Sequence, residues 1–157
     1  MEKHNFDPVY DEQSEILILG SFPSVKSREA KFFYGHPQNR FWKVISAVYG
    51  CECPVTIGDK KKMLLENHIA LWDVISECEI TGSSDSSIKN AVPNDFSKIF
   101  ETANIKKVFC NGTTSYKLYE KYQKTGMKAE KMPSTSPANA AFSLDRLIEE
   151  WKKIKSS

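Results

Sequence analysis

Three short apolar runs constrain the fold of this 157-residue chain most strongly. They read ILILG at 16–20, IALWDVI at 69–75 and KKVFCNG at 106–112, and segments with helical spacing lie between them. A continuous apolar run is typical of a strand that is buried on both faces, as in a parallel sheet covered by helices. The alternation of strands and helices therefore predicts an α/β fold with a parallel central sheet.

The remaining segments are consistent with one domain over residues 1–157, since this length supports a single substantial core. Helices are expected at about 39–49, 59–67 and 94–103, from residue 113 onwards and at the end of the chain, with a short strand at 127–132. Segments 21–38, 82–87 and 133–140 are expected to be loops. The chain contains neither an apolar run long enough to span a membrane nor a signal-peptide core, which predicts a cytoplasmic protein.

Cysteine spacing and known motifs argue against several chemistries. Cys51 and Cys53 are separated by one residue, whereas zinc ribbons and iron–sulfur sites usually repeat C-x2-C, and Cys78 and Cys110 lie far away. No bound metal is therefore expected. The chain lacks the glycine spacing of a dinucleotide-binding loop, the lysine of a P-loop, and the HExxH, GxSxG and zinc-deaminase patterns. No organic cofactor is expected either.

Basic residues are unevenly distributed, although the net charge is only +2. Residues 26–43 contain five basic side chains and one acidic side chain, and residues 106–131 contain seven lysines and two glutamates. Such segments can form a phosphate-binding face. Lysines on solvated helix faces would give the same composition, so both interpretations stay open.

Two polar, proline-containing loops follow strand ends and define the expected site. The first includes GSFPS at 20–24 and FFYGHPQNRFW at 32–42, and the second is PSTSPANA at 133–140. Ligands of open parallel sheets bind beyond the carboxyl ends of the strands, where these loops should meet. His36 is the one histidine within them, because His4 lies near the terminus and His68 at a predicted helix end.

Asn39 is the most informative polar residue of the first loop. Asparagine does not act as a base near neutral pH, but its carbonyl oxygen can hold water and its NH2 group can donate to a base or to developing negative charge. The alternative is a helix N-cap, which the position of Asn39 before FWKVI also suits.

Taken together and in order, GSFPS, YGHPQNRFW, the WDV of the second strand and PSTSPANA resemble the uracil-DNA glycosylase superfamily. The likeness is strongest to its hypoxanthine-DNA glycosylase branch and extends from about Val9 to Trp151. It implies a three-layer α/β/α sandwich with a short, mainly parallel sheet. It also implies a monofunctional DNA repair enzyme that hydrolyses the N-glycosidic bond of deaminated bases, chiefly hypoxanthine, in damaged DNA, without cofactor and as a monomer.

The resemblance also assigns roles to individual residues. Asn39 matches the asparagine on which the hypoxanthine branch depends for catalysis. Ser134 lies in PSTSPANA, which matches the second family motif, at the position where relatives often carry His or Asn. The resemblance therefore implies Ser134 as the second catalytic residue. Tyr34 is expected to stack on the flipped base. The remaining substrate-binding residues implied are Gly20, Ser21, Phe22, Pro23, Ser24, His36, Trp72, Asp73, Ser136, Pro137 and Ala138. Many relatives carry an acidic residue or Asn inside the first family motif, which is GSFPS here, whereas this chain has Ser21-Phe22-Pro23. Catalysis should therefore depend chiefly on Asn39. Uracil and xanthine are expected to be minor substrates at most.

Further expectations concern DNA and the lesion. Arg28, Lys31, Arg40 and Lys43 bracket the expected site and are predicted to contact phosphates. Asp73 could accept a hydrogen bond from N1–H of hypoxanthine or could instead cap a neighbouring turn. Two other functions remain open from the sequence: a non-catalytic nucleic-acid-binding domain on the same scaffold, and a hydrolase of free nucleosides.

Overall fold

The structure is a computed structural model that describes residues 1–155, so positions 156 and 157 of the predicted domain lie outside the described residues. Its strands are Glu2–Lys3 (β1), Ile16–Gly20 (β2), Ile69–Asp73 (β3), Ile75–Glu79 (β4), Lys89–Pro93 (β5), Lys107–Asn111 (β6) and Ala129–Met132 (β7). Its α-helices are Val25–Ala30 (α1), Phe41–Tyr49 (α2), Ile57–Glu66 (α3), Ser97–Thr102 (α4), Thr113–Tyr122 (α5) and Leu144–Trp151 (α6).

Four strands form a fully parallel sheet in the order β3-β2-β6-β7. The central strand β2 is buried on both faces, because Ile18 packs with one apolar cluster and its neighbours Leu17 and Leu19 pack with another. The first cluster includes side chains of α2, α3 and α6, and the second includes side chains of α4 and α5. This arrangement confirms the predicted three-layer α/β/α architecture.

A second, antiparallel sheet in the order β1-β4-β5 was not predicted. The single strand expected at 69–75 is two strands, since β3 ends at Asp73 and β4 begins at Ile75. At the break, the N–H of Val74 donates to the carbonyl of Gly20 and the N–H of Ile75 donates to that of Ser21. These bonds keep the start of β4 beside the loop that follows β2.

Helix α1 lies within the segment that was expected to be loop, so that prediction is wrong for residues 25–30. The helix is short, and Ser24 caps it by accepting a hydrogen bond from the N–H of Ser27 at 3.2 Å. No helix among residues 1–155 combines the length and apolar character needed to cross a membrane.

Candidate active site

A cleft of about 950 Å³ opens at the carboxyl edge of the parallel sheet. The last residues of all four parallel strands line it: Gly20, Asp73, Asn111 and Met132. Segments 20–24 and 133–139 meet there, together with Tyr34, His36 and Asn39. The location of the cleft agrees with the edge at which the sequence places a site.

The Asn39 side chain is held by its oxygen. Its Oδ1 accepts from the backbone N–H of Phe41 at 2.9 Å and from the hydroxyl of Thr135 at 2.9 Å. Because only an oxygen can accept from that N–H, the bond to Phe41 fixes which way the amide points. Nδ2 makes no hydrogen bond within residues 1–155, so the NH2 group is the part of Asn39 that is left to act on a ligand.

Asn39 thus has part of its predicted capping role as well. Helix α2 begins at Phe41, with Arg40 as the capping position, and Asn39 supplies the side-chain oxygen that satisfies the first helical N–H. Capping and presentation of the amide do not exclude each other, because they use different atoms of the side chain.

A buried network anchors this amide to the sheet. Thr135 is fully buried and accepts from Nδ2 of Asn111 at 3.0 Å, while its own N–H donates to Oδ1 of Asn111 at 3.0 Å. Asn111 also donates to the hydroxyl of Tyr34 at 3.1 Å. The end of β6 therefore positions Asn39 and Tyr34 through one asparagine.

Tyr34 lines the cleft with its ring stacked on Phe41, at a centroid distance of 4.1 Å and an interplanar angle of 18°. Its backbone has φ of 51°, in the left-handed region that non-glycine residues rarely adopt. Burial and the nearby Asp73 carboxylate raise the pKa of the Tyr34 hydroxyl well above its usual range, so the side chain is neutral.

Gly20 makes room for two polar groups at the floor of the cleft. A Cβ atom built at this position would lie 2.4 Å from Oδ1 of Asp73 and 3.0 Å from the Tyr34 hydroxyl. The absence of a side chain at the end of β2 therefore lets Asp73 and Tyr34 converge there.

Asp73 is buried and bonds His4, whose Nε2 lies 2.8 Å from Oδ2. The His4 ring packs among aromatic side chains, with Phe6 at 4.4 Å between ring centroids. Oδ1 of Asp73 makes no hydrogen bond within the described residues and faces the cleft. The predicted alternative, in which Asp73 caps a turn, applies only to its backbone carbonyl, which accepts from Asn94 Nδ2 at 2.9 Å.

The segment between β4 and β5 brings a second carboxylate to the cleft. The hydroxyl of Ser21 donates to Oδ1 of Asp85 at 2.8 Å, and Ser83, Ser84 and Ser86 also line the cleft. Loss of hydration raises the pKa of Asp85, with a smaller contribution from Asp73, whereas the hydrogen bond from Ser21 lowers it.

The second loop forms the opposite lip of the cleft. The hydroxyl of Ser134 accepts from the N–H of Ser136 at 3.1 Å, and its carbonyl accepts from Nδ2 of Asn139 at 3.0 Å. Ser136 itself, Pro137 and Ala138 line the cleft, and the last two are exposed. Gly112 approaches this loop closely, since a Cβ there would lie 3.2 Å from Cβ of Ser134 and its φ is 97°.

Arg40, one of the four predicted phosphate contacts, is bonded to the second loop. Its guanidinium donates to the carbonyls of Ser136, Asn139 and Phe142, which ties the second loop to the start of α2. Arg28 is engaged in a similar way, because it pairs with Glu2 at 3.1 Å and donates to the carbonyl of Gly82 at 2.8 Å. Both cations hold loops, and their phosphate contacts stay predictions, as do those of Lys31 and Lys43, which are exposed.

Trp72 lies apart from the other residues predicted to bind substrate. It is not among the residues that line the cleft, and it packs between Phe96 and His4, with ring centroids 6.2 Å and 6.4 Å away. Successive strand residues point to opposite faces, so Asp73 reaches the cleft and Trp72 does not. Of the other residues predicted to bind substrate, Ser21, Phe22, Pro23, Ser24 and His36 all line the cleft.

Four residues of the site were missed in the sequence: His4, Asp85, Asn111 and Thr135. Asn111 carried a usable signal, since it is the first polar residue after the buried run VFC. Thr135 lies inside the second loop motif but was not singled out. His4 and Asp85 gave no local signal, because only the tertiary fold brings them to Asp73 and Ser21. Within residues 1–155, no group of three or more His, Cys, Asp or Glu side chains could hold a metal ion.

The fold and the cleft define an α/β protein with a polar ligand site at the carboxyl edge of a parallel sheet. The chain belongs to the uracil DNA glycosylase superfamily, whose family model matches residues 8–155. This membership confirms the family predicted from the four sequence segments.

Individual relatives cover nearly the whole chain. A Hypoxanthine DNA glycosylase of Methanosarcina acetivorans is 36% identical over 156 residues, covering 98% of each chain. A second Hypoxanthine DNA glycosylase, from Methanosarcina barkeri, is 36% identical over 88% of this chain and 89% of its own. A Methanosarcina acetivorans chain solved by solution NMR, described as a candidate uracil DNA glycosylase, superposes with a TM-score of 0.81 at 32% identity and 99% coverage of both chains.

Proposed function

We propose that this protein is a monofunctional DNA glycosylase that hydrolyses the N-glycosidic bond of deaminated bases, with hypoxanthine in deoxyinosine as its main substrate. Family membership and the names of the two 36%-identical relatives support the reaction and the lesion. The observation that carries the proposal is Asn39, whose oxygen is occupied by protein donors while its NH2 group is left for a ligand. Uracil and xanthine are proposed as minor substrates.

Asn39 acts on the leaving base in this proposal, because its oxygen is already engaged. As the glycosidic bond breaks, negative charge develops on the purine, and ring nitrogens and O6 become stronger acceptors. A preorganised amide donor stabilises that charge at little reorganisation cost. Water positioning would need Oδ1, which already accepts from Phe41 and Thr135.

Asp73 is the proposed reader of the base. Its Oδ1 faces the cleft and can accept from N1–H of hypoxanthine or N3–H of uracil, whereas adenine carries no proton at N1. His4 occupies the other oxygen and holds the carboxylate in place. Replacement by Asn would turn an acceptor-only group into one that also donates, so Asp73→Asn should change the ranking among bases.

DNA must present its base outside the helix for this cleft to reach it. We expect Pro137 and Ala138, which are exposed at the edge of the cleft, to contact the strand beside the extruded nucleotide, together with Ser134 and Ser136 of the same loop. Lys31 and Lys43 are the proposed phosphate contacts, together with Lys131, which lines the cleft and is exposed. We further propose that the protein acts as a monomer in the cytoplasm, as the family resemblance and the sequence suggest.

The test is excision from duplex oligonucleotides that contain one deoxyinosine, deoxyuridine or deoxyxanthosine, followed by alkaline cleavage of abasic sites. We expect strand breaks with deoxyinosine and none in the matched deoxyadenosine and deoxyguanosine duplexes. Asn39→Ala serves as the control for contaminating activity. Binding without strand breaks would instead indicate a non-catalytic binder, and release of hypoxanthine from free deoxyinosine alone would indicate a nucleoside hydrolase.

A further inference from the structure

Hydrolysis of a glycosidic bond transfers the oxygen of water to the sugar, and this inference, which rests on the proposed glycosylase function, concerns the proton that the water gives up. Water must lose a proton when its oxygen bonds to C1′ of the sugar. A positioned base that takes this proton accelerates such reactions. Asn39 is not that base, because an amide does not accept a proton near neutral pH.

Among the described residues that line the cleft, three side chains could accept a proton: His36, Asp73 and Asp85. His36 is a poor candidate, because its Nδ1 accepts from the N–H of Gln38 at 3.1 Å. A neutral imidazole that accepts at Nδ1 carries its proton on Nε2, so the ring has no nitrogen left to act as a base.

Asp73 is also a poor candidate. One of its oxygens bonds His4, and the other lies at the closed floor of the cleft, against Gly20 and the Tyr34 hydroxyl. That position suits the edge of a flat base. Asp85 is the remaining carboxylate, and only one of its oxygens is engaged, by the Ser21 hydroxyl at 2.8 Å.

The protein holds Asp85 against the first motif by several independent bonds. The hydroxyl of Ser83 accepts from the N–H of Val25 at 2.9 Å, and Arg28 donates to the carbonyl of Gly82. The N–H of Ser87 closes the turn onto the carbonyl of Ser84 at 3.0 Å. The carboxylate therefore has a defined place beside Ser21, although the residue as a whole is exposed.

Asp85 and Asn39 are held from the ends of two neighbouring strands, β2 and β6. Asp85 is bonded to Ser21, at the end of β2, whereas Asn39 is bonded through Thr135 to Asn111, at the end of β6. A nucleotide in the cleft that both residues line would therefore meet a base-stabilising donor and a carboxylate that different strands hold in place. Substitution of a base by water needs this arrangement.

We propose that Asp85 is the catalytic carboxylate that binds the attacking water and takes its proton, in place of the acidic residue or asparagine that is missing from the first motif. In this step a lone pair of the water oxygen forms the new bond to C1′. The C1′–N9 bond breaks, and its electron pair leaves with the base, which Asn39 stabilises. One water proton passes to Asp85, and the released base gains a proton from solvent.

The environment of Asp85 suits this role. Loss of hydration and the neighbouring Asp73 raise the pKa of Asp85, and the Ser21 hydrogen bond lowers it. The Asp85 carboxylate also contributes to the raised pKa values of the Tyr34 phenol and the Cys78 thiol, after the larger effect of burial on each. Both groups are therefore neutral. The carboxylate must be ionised to act, so the rate should fall as pH falls through a pKa above the usual ~4 of aspartate.

The experiment compares single-turnover excision of hypoxanthine at saturating enzyme by wild type, Asp85→Asn and Ser21→Ala as a function of pH. Asp7→Asn is the matched control, because Asp7 is exposed and its side chain makes no described bond to the cleft. We expect Asp85→Asn to lose about 10²–10⁴-fold in rate and to lose the acidic limb of the profile, with unchanged affinity for deoxyinosine DNA. Ser21→Ala should move that limb to higher pH, because it removes the bond that favours the ionised form.

Two results would overturn the proposal: a rate for Asp85→Asn within a few-fold of Asp7→Asn, or an acidic limb that is the same in Asp85→Asn and wild type. Neither result would contradict the proposed function. That proposal would be contradicted only if the wild-type protein released no hypoxanthine. Thermal unfolding of each variant shows whether a lost rate reflects a lost fold.

Discussion

At the scale of single residues, Asn39 gives the sharpest prediction. Asn39→Asp keeps an oxygen that can accept from Phe41 N–H and Thr135, but it removes the NH2 group. If the amide donates to the leaving base, Asn39→Asp should lose as much activity as Asn39→Ala, about 10²–10³-fold, although it preserves the local bonds better.

The measurement is single-turnover excision from a deoxyinosine duplex. Gln38→Ala is the control, because Gln38 is the exposed neighbouring amide and does not line the cleft. Substantial activity in Asn39→Asp with loss in Asn39→Ala would instead support water positioning, and wild-type rates in Asn39→Ala would refute any catalytic role.

Two substitutions of Tyr34 distinguish the contribution of its ring from that of its hydroxyl group. Tyr34→Phe keeps the stack on Phe41 and loses only the bond from Asn111, which should cost about 0.5–1.5 kcal/mol of stability and little activity. Tyr34→Ala removes the ring that is predicted to stack on the base, so it should reduce excision of every accepted base. Denaturation and excision rates measured for both variants test this; equal losses of activity would point to the hydroxyl.

At the scale of elements, the sequence predicts those whose burial is uniform and misses those that are short or exposed. The runs ILILG and KVFCN lie between two apolar layers, and both were recognised as strands. Helix α1 has six residues and no apolar stripe, and strand β5 is largely exposed, so neither has a periodic pattern. Their positions follow from tertiary contacts, which a local pattern does not contain.

The hydrogen bonds from Arg40, at the start of α2, to three carbonyls of the 136–142 segment lead to a further prediction. Arg40→Lys keeps the charge but cannot reach three carbonyls with one ammonium group, so the loop at 136–142 should become mobile. We expect the excision rate to fall at least tenfold while the salt dependence of DNA binding stays unchanged. Lys43→Ala is the contrasting variant: as a phosphate contact it should reduce the slope of log affinity against log salt by about 0.9. A reduced slope of log affinity against log salt in an Arg40 variant would instead support the predicted contact of Arg40 with phosphates.

At the scale of the whole molecule, the N-terminal residues belong to the site. Strand β1 pairs with β4, and His4 then reaches Asp73, 69 residues further along the chain. His4→Ala should therefore lower the free energy of unfolding by about 1.5–3 kcal/mol, the value of a hydrogen bond to a charged group. Chemical denaturation measures this, with Lys3→Ala as the exposed control at the preceding residue, and equal stabilities of the two variants would contradict it.

The candidate site could be predicted from the sequence only where its residues sit in strand-end loops. GSFPS, Asn39 and the second loop follow that rule, whereas His4 lies in the N-terminal segment and Asp85 in a plain polar loop. Arg28 and Arg40 were predicted as DNA contacts from their charge and position, and the structure shows that each also donates to backbone carbonyls. Side-chain partners decide such cases, and a sequence does not display them.

The bond between Asn39 and Thr135 spans 96 residues, and this separation bears on the timing of synthesis. A ribosome adds about 5–20 residues per second, so the amide waits about 5–20 s before its anchor exists. Until the second loop has emerged and Arg40 has bound it, a nascent chain has only part of the cleft, and Phe41 N–H alone holds the Asn39 oxygen. On the proposed function, the late arrival of the second loop would delay the formation of abasic sites until most of the chain has been made.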